Sequence, residues 1–154
     1  MGVPTVCVAA KRPTPTEEPF YATDFTMAML NGGEITLSDL QGRWVLLNFW
    51  ATWCIPCRVE MPALQDIASE YRSDLVVLGV NQRENPPTVQ AFIDEIGTTF
   101  PILLNPDDAT LAAYQVMSLP QTFLINPQGE ILWRQFGPIE LGEFRPLLES
   151  FISA

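Results

Sequence analysis

No histidine occurs anywhere in this chain of 154 residues. That absence removes the Ser–His and Cys–His nucleophile pairs, the histidine general base and every imidazole metal site. Chemistry near neutral pH is left to thiols, perturbed carboxylates and the backbone. Positive charge is scarce as well: eight Lys+Arg stand against 18 Asp+Glu, a net charge of −10. Such a chain repels DNA and RNA at long range, and it carries no basic stripe with interleaved aromatics. Nucleic acid is therefore excluded as a partner. No apolar run reaches the roughly 18 residues that cross a bilayer. Only Cys7, Cys54 and Cys57 carry thiols, too few donors for a closed four-ligand zinc site.

What is present reads as one α/β domain behind a proline-rich tail. Residues 1–19 include KRPTPTEEP, with Pro13, Pro15 and Pro19 and little to bury, the composition of a flexible linker. Their opening, MGVPTVCVAA, lacks the basic start of a secretory signal. Pro4 also stands where a lipoprotein cleavage box ahead of Cys7 would want a small aliphatic residue. The domain is expected over residues 20–154. DFTMAML and EITL around Asn31-Gly32-Gly33 predict a hairpin, and SDLQG a helical turn capped by Ser38 and stopped by Gly42.

WVLLNFW (44–50) is almost continuously apolar, as a central strand covered on both faces should be. A helix is expected from near Cys54, kinked at Pro62. DLVVLGVN predicts a second buried strand, followed by a helix opened by Pro87 and ended after Ile96 by Gly97. PILLN and ATLAAYQV predict a short strand and a short helix. QTFLINPQGEILWRQFG predicts two strands about Asn126–Gly129, and ELGEFRPLLESFI an amphipathic closing helix. This alternation implies an α/β fold with a central mixed sheet.

The chemistry concentrates in FWATWCIPCRVEMP, Phe49 to Pro62. A disulfide between Cys54 and Cys57 closes so small a loop that it contributes only about 2 kcal/mol as a staple. A two-thiolate Cu(I) site is chemically open, since soft thiolates select that ion. Redox use fits the placement best. Cys54 falls where a strand gives way to a helix, against unpaired N–H groups and the positive end of the helix dipole, which favours thiolate. Cys57, one turn on, should be the more buried partner. An exposed low-pKa thiol with a second thiol in reach is what thiol–disulfide exchange needs. Pro56 at the first turn costs no hydrogen bond and stiffens the loop.

WATWCIPC resembles the W-x-x-W-C-x-x-C signature of the thioredoxin superfamily. The longer FWATWCIPCRVEMP, behind a hairpin, is similar to the TlpA- and ResA-like thiol-disulfide oxidoreductases. SLPQTFLIN, Ser118 to Asn126, resembles the same superfamily's cis-proline strand. The likeness covers residues 20 to 153 and implies a thioredoxin-like fold with an extra N-terminal hairpin. It implies a cis bond between Leu119 and Pro120 beside the cysteine pair. Leu119 would offer its backbone to an extended substrate, with Trp53, Ile55 and Pro56 completing the contact surface.

The likeness also implies protein disulfide or dithiol substrates, apocytochromes c among them, and a membrane or soluble electron donor. An extracytoplasmic location follows by the same analogy, with a membrane tether outside this stretch left open, and a monomer is expected. No metal or organic cofactor is called for beyond the Cys54–Cys57 couple.

One departure refines the picture. Thioredoxins carry a buried aspartate two residues before the motif's first Trp; here that residue is Asn48, and an amide cannot take a proton. Glu60, three residues after Cys57, shares a helix face with both cysteines. The resemblance implies that it modulates them, and burial would raise its pKa far enough to receive the proton of Cys57. Trp50 reads as packing. Cys7, in the tail, bears no spacing relation to the pair. A peroxidase of the peroxiredoxin type is disfavoured because its reactive-cysteine motif is missing. A copper chaperone of the Sco type is disfavoured because C-x-x-C and no histidine replace its ligands. A Cu(I) carrier using the same dithiol and a redox-inert binding module remain as rivals.

Overall fold

The computed structural model describes residues 20–153; the expected tail and Cys7 lie outside the described residues. A five-stranded sheet forms the middle layer, in the order β5-β4-β3-β6-β7. It is built from β3 (Trp44–Trp50), β4 (Leu75–Asn81), β5 (Ile102–Leu104), β6 (Gln121–Ile125) and β7 (Ile131–Phe136). β3 pairs in parallel with β4 and antiparallel with β6, so the sheet is mixed. A separate hairpin, β1 (Thr26–Ala28) with β2 (Glu34–Thr36), precedes it. Among the described residues there are four α-helices: α1 (Ile55–Glu70), α2 (Pro86–Ile96), α3 (Asp108–Ala113) and α4 (Leu141–Ile152). Among the described residues no helix is long and apolar enough to cross a membrane.

The apolar run of β3 is divided by the strand's period of two. Val45, Leu47 and Phe49 enter one core with Phe25, Tyr114 and Phe123. Leu46 and Trp50 enter the other, with Met61 and Leu64 of α1 and Phe144 and Leu148 of α4. Both faces are therefore covered, and each buried aliphatic or aromatic side chain contributes about 1.5–3 kcal/mol. Gly79 in β4 is required by a close approach: a Cβ there would lie 2.9 Å from the Phe100 ring and 3.1 Å from Trp50 Nε1.

The local signals are mostly obeyed, with instructive exceptions. α2 starts one residue earlier than the sequence suggests, with Pro86 after Asn85, whose side chain caps Thr88 N–H at 3.0 Å. Gly97 ends it in the left-handed conformation. Pro62 lies within a helix that runs unbroken to Glu70. Ser38 is not a cap. It sits inside the 3-10 turn Leu37–Leu40, and its N–H and hydroxyl both donate to the Asp24 carboxylate at 2.8 Å. A carboxylate from before the hairpin outcompetes the local capping contact.

Two pairings position the site. β3 ends at Trp50, four residues before Cys54. The antiparallel register Phe49↔Gln121 sets the start of β6 against that same end, which brings Pro120 there from across the sequence.

Candidate active site: a disulfide at the start of α1

Cys54 is the N-cap of α1, and its sulfur accepts a hydrogen bond from Cys57 N–H at 3.3 Å. Ile55 and Pro56 occupy the first helical positions, where a proline's missing donor is not needed. The two cysteines form a disulfide across this turn, with Cα atoms 5.2 Å apart. Cys57 is fully buried, as expected. Cys54 is more enclosed than the sequence suggests, with only 5% of its surface accessible. Its capping contact turns the sulfur back toward the helix instead of outward. The rim around it is open: Trp53 is 70% exposed and Ile55 and Pro56 are exposed, whereas Trp50 is buried against Phe92 with ring centroids 5.2 Å apart.

Beneath the disulfide lies a buried polar group. Glu60, one turn past Cys57 on α1, retains 1% exposure. Its Oε1 accepts from Asn48 Nδ2 at 2.7 Å and its Oε2 from Ile139 N–H at 2.8 Å. Asn48 Nδ2 also donates to Thr122 Oγ1 at 2.9 Å. These contacts tie α1 to β3, β6 and the segment entering α4. Burial raises the Glu60 pKa from its ordinary 4.5 to about 7; the bonds from Ile139 and Asn48 pull the other way and lose. Asn48, where the thioredoxin pattern has an acid, thus serves as a donor to the acid that is present.

The Leu119–Pro120 bond is cis. Pro120 is buried and its carbonyl accepts from Gly137 N–H at 2.9 Å, while Leu119 is half-buried. Neither backbone group of Leu119 has a hydrogen-bond partner among the described residues. The structure therefore brings Trp53, Ile55, Pro56, Leu119 and Pro120 to one end of the sheet with the disulfide.

Sequence reasoning missed three contributors there. Met117, 90% exposed, and Phe136, which pairs with Gln121, place apolar surface on the cis-proline side. Glu84, in the β4–α2 loop, reaches across to Thr52 in the loop before Cys54. Nothing local in the sequence marks Met117, Phe136 or Glu84.

Comparison with known proteins agrees with this geometry. A family model described as the AhpC/TSA family matches residues 21–134. The thiol-disulfide oxidoreductase ResA of Bacillus subtilis is 42% identical over 112 residues, which cover 72% of this chain and 63% of that protein. ResA of Geobacillus thermodenitrificans is 39% identical over 130 residues, covering 84% of this chain and 75% of that protein. The chain thus spans about two thirds to three quarters of these relatives. The crystal structure of an exposed lipoprotein thioredoxin, Etrx1, from Streptococcus pneumoniae superposes with a TM-score of 0.74 at 28% identity. That match covers 83% of this chain and 99% of the other.

Proposed function

The chain belongs to the AhpC/TSA family, within its thioredoxin-like thiol-disulfide oxidoreductases, and from that premise we propose that it reduces disulfides of exported polypeptides, apocytochromes c foremost. The observation that carries the reading is the Cys54–Cys57 pair across the first turn of α1, with a carboxyl group of pKa about 7 buried one turn below.

In the reduced protein, Cys54 is the nucleophile. Its sulfur lies against the N-terminal N–H groups of α1, which stabilise negative charge. The thiolate attacks one sulfur of the partner's disulfide, and the other sulfur leaves as a thiolate and takes a proton. Cys57 gives its proton to the Glu60 carboxylate and attacks the Cys54 sulfur; the partner's second sulfur leaves as a thiolate and takes up a proton from solvent, to which Glu60 returns the one it received. The partner has gained two electrons and two protons, and this protein holds the Cys54–Cys57 disulfide. A dithiol donor protein, membrane-bound or soluble, then returns it to the reduced state. No metal or organic cofactor enters this sequence. The protein works as a monomer.

The substrate meets the rim formed by Trp53, Ile55 and Pro56, and adds as an extended strand to the free backbone groups of Leu119 before Pro120. The likeness to an exposed lipoprotein supports an extracytoplasmic location. A direct test uses a peptide containing two cysteines spaced by two residues and oxidised to a disulfide. The reduced protein is expected to convert it stoichiometrically to the dithiol, and the Cys57→Ser variant to accumulate the mixed disulfide by mass spectrometry. Failure of the wild type to consume the peptide disulfide would refute the reading.

A further inference from the structure

We infer that Glu84 is a positioning residue for the dithiol, holding the loop that delivers Cys54. It rests on the oxidoreductase reading only in taking Cys54 as the reactive thiol. The loop Ala51–Trp53 joins β3 to the helix that Cys54 caps, and it carries the exposed Trp53. Its backbone is fixed at the strand end by Gln82 N–H donating to the Trp50 carbonyl at 2.9 Å.

The Glu84 carboxylate holds the middle of the loop. Oε1 accepts Thr52 N–H at 2.7 Å, and Oε2 accepts the Thr52 hydroxyl. Thr52 is two residues from Cys54. Oε1 also accepts Asn81 Nδ2 at 2.8 Å, from the fully buried last residue of β4. The carboxylate is itself well anchored. It is braced by Asn81 on one side, and the next residue, Asn85, is locked as the cap of α2. Before it, Arg83 takes the left-handed backbone conformation (φ 59°) and pairs with Asp108. Three hydrogen bonds to one ionised acceptor from two elements are more than a solvated surface glutamate makes. Their effect is to fix the distance between the end of the central sheet and the first turn of α1, where Cys54 must present its sulfur.

Positioning and charge make different predictions. In Glu84→Gln the amide oxygen can accept both N–H groups, and the amide nitrogen can donate to the Thr52 hydroxyl, so the clamp survives without its charge. In Glu84→Ala it is lost. Thr52→Val removes only the hydroxyl contact and serves if Glu84→Ala fails to fold. The measurements are the rate of reduced Cys54 with 5,5′-dithiobis(2-nitrobenzoate) and its thiolate titration at 240 nm, in a Cys7→Ala/Cys57→Ser background where Cys54 is the one thiol.

Glu84→Ala is expected to slow the reaction about tenfold and shift the titration. Thr52→Val should fall between it and wild type, and Glu84→Gln should stay within about twofold. Wild-type rates and titrations in both Glu84→Ala and Thr52→Val would overturn the inference. So would a Glu84→Gln variant as slow as Glu84→Ala, since charge would then be the agent. Because Cys54 itself is read, a wild type that reduced no polypeptide would refute the proposed function while leaving this result standing.

Discussion

The face of the sheet toward the hairpin and α3 is closed by aromatic rings, whereas the face toward α1 and α4 buries a carboxyl group beside a disulfide. On the first face Phe49, Tyr114 and Phe123 meet edge to face or tilted, with centroids 5.3–5.9 Å apart. The one polar atom among those rings, the Tyr114 hydroxyl, is matched by the Thr23 carbonyl at 2.6 Å. On the second face Asn48 and Glu60 sit among Leu46, Trp50 and Met61, and the Glu60 pKa shows the cost of burying a charge. Both faces hang on β3, where neighbouring residues Leu47, Asn48 and Phe49 look in opposite directions. Both sides of the strand contribute core, but only one carries the reactive groups. A substitution on the aromatic side should therefore leave the redox chemistry nearly untouched, whereas one on the reactive side touches stability as well.

The sharpest break of this comparison comes from the cysteines. Cys54→Ser should abolish turnover with the fold retained, and Cys57→Ser should trap partners covalently; stopped assays with mass spectrometry distinguish the two. On the aromatic face, Phe123→Ala should cost about 3–5 kcal/mol of stability and leave the redox potential unchanged, as urea unfolding and a thiol titration would show.

Glu60→Gln should act on both properties because Glu60 belongs to the reactive face. Its folded pKa lies above its unfolded value, so wild-type stability falls as pH rises from about 4.5 to about 7 and is level above that window. Relative to Glu60→Gln, the wild type should lose about 3 kcal/mol across it. Denaturant unfolding of both proteins at pH 5 and pH 8 measures this, and the pH profile of mixed-disulfide resolution should lose its inflection near 7. Gly79→Ala, which pushes a methyl group toward Phe100 and Trp50, should cost about 1–3 kcal/mol. The smallest effect is expected at Asn85→Ala, about 1 kcal/mol for a lost helix cap, read from the shift in unfolding midpoint.

How much of this the sequence discloses follows from how local each feature is. The C-x-x-C spacing, the acid three residues later, Pro120 and the seven-residue apolar run are contained in short stretches, and each stands in the structure at the expected place. The near-burial of Cys54 was not legible, because it depends on which way a capping side chain turns. Ser38 misled for a related reason: its local capping preference is outweighed by Asp24, fourteen residues away. Glu84 and Thr52 are separated by the whole of α1 and β4, and only the parallel pairing of β3 with β4 makes them neighbours. Met117 and Phe136 are apolar residues whose exposure follows from the α3–β6 loop and the edge position of β7. No pattern in either stretch announces it.

Every step of the proposed function depends on Cys54 and Cys57 forming a reducing couple. Its most direct test is equilibration of the Cys7→Ala protein in graded dithiothreitol or glutathione buffers, followed by tryptophan fluorescence, with Trp50 and Trp53 beside the disulfide as reporters. One two-electron transition with a midpoint well below about −200 mV is expected. A midpoint near −120 mV would make the protein an oxidant and overturn the proposed reduction of exported polypeptides.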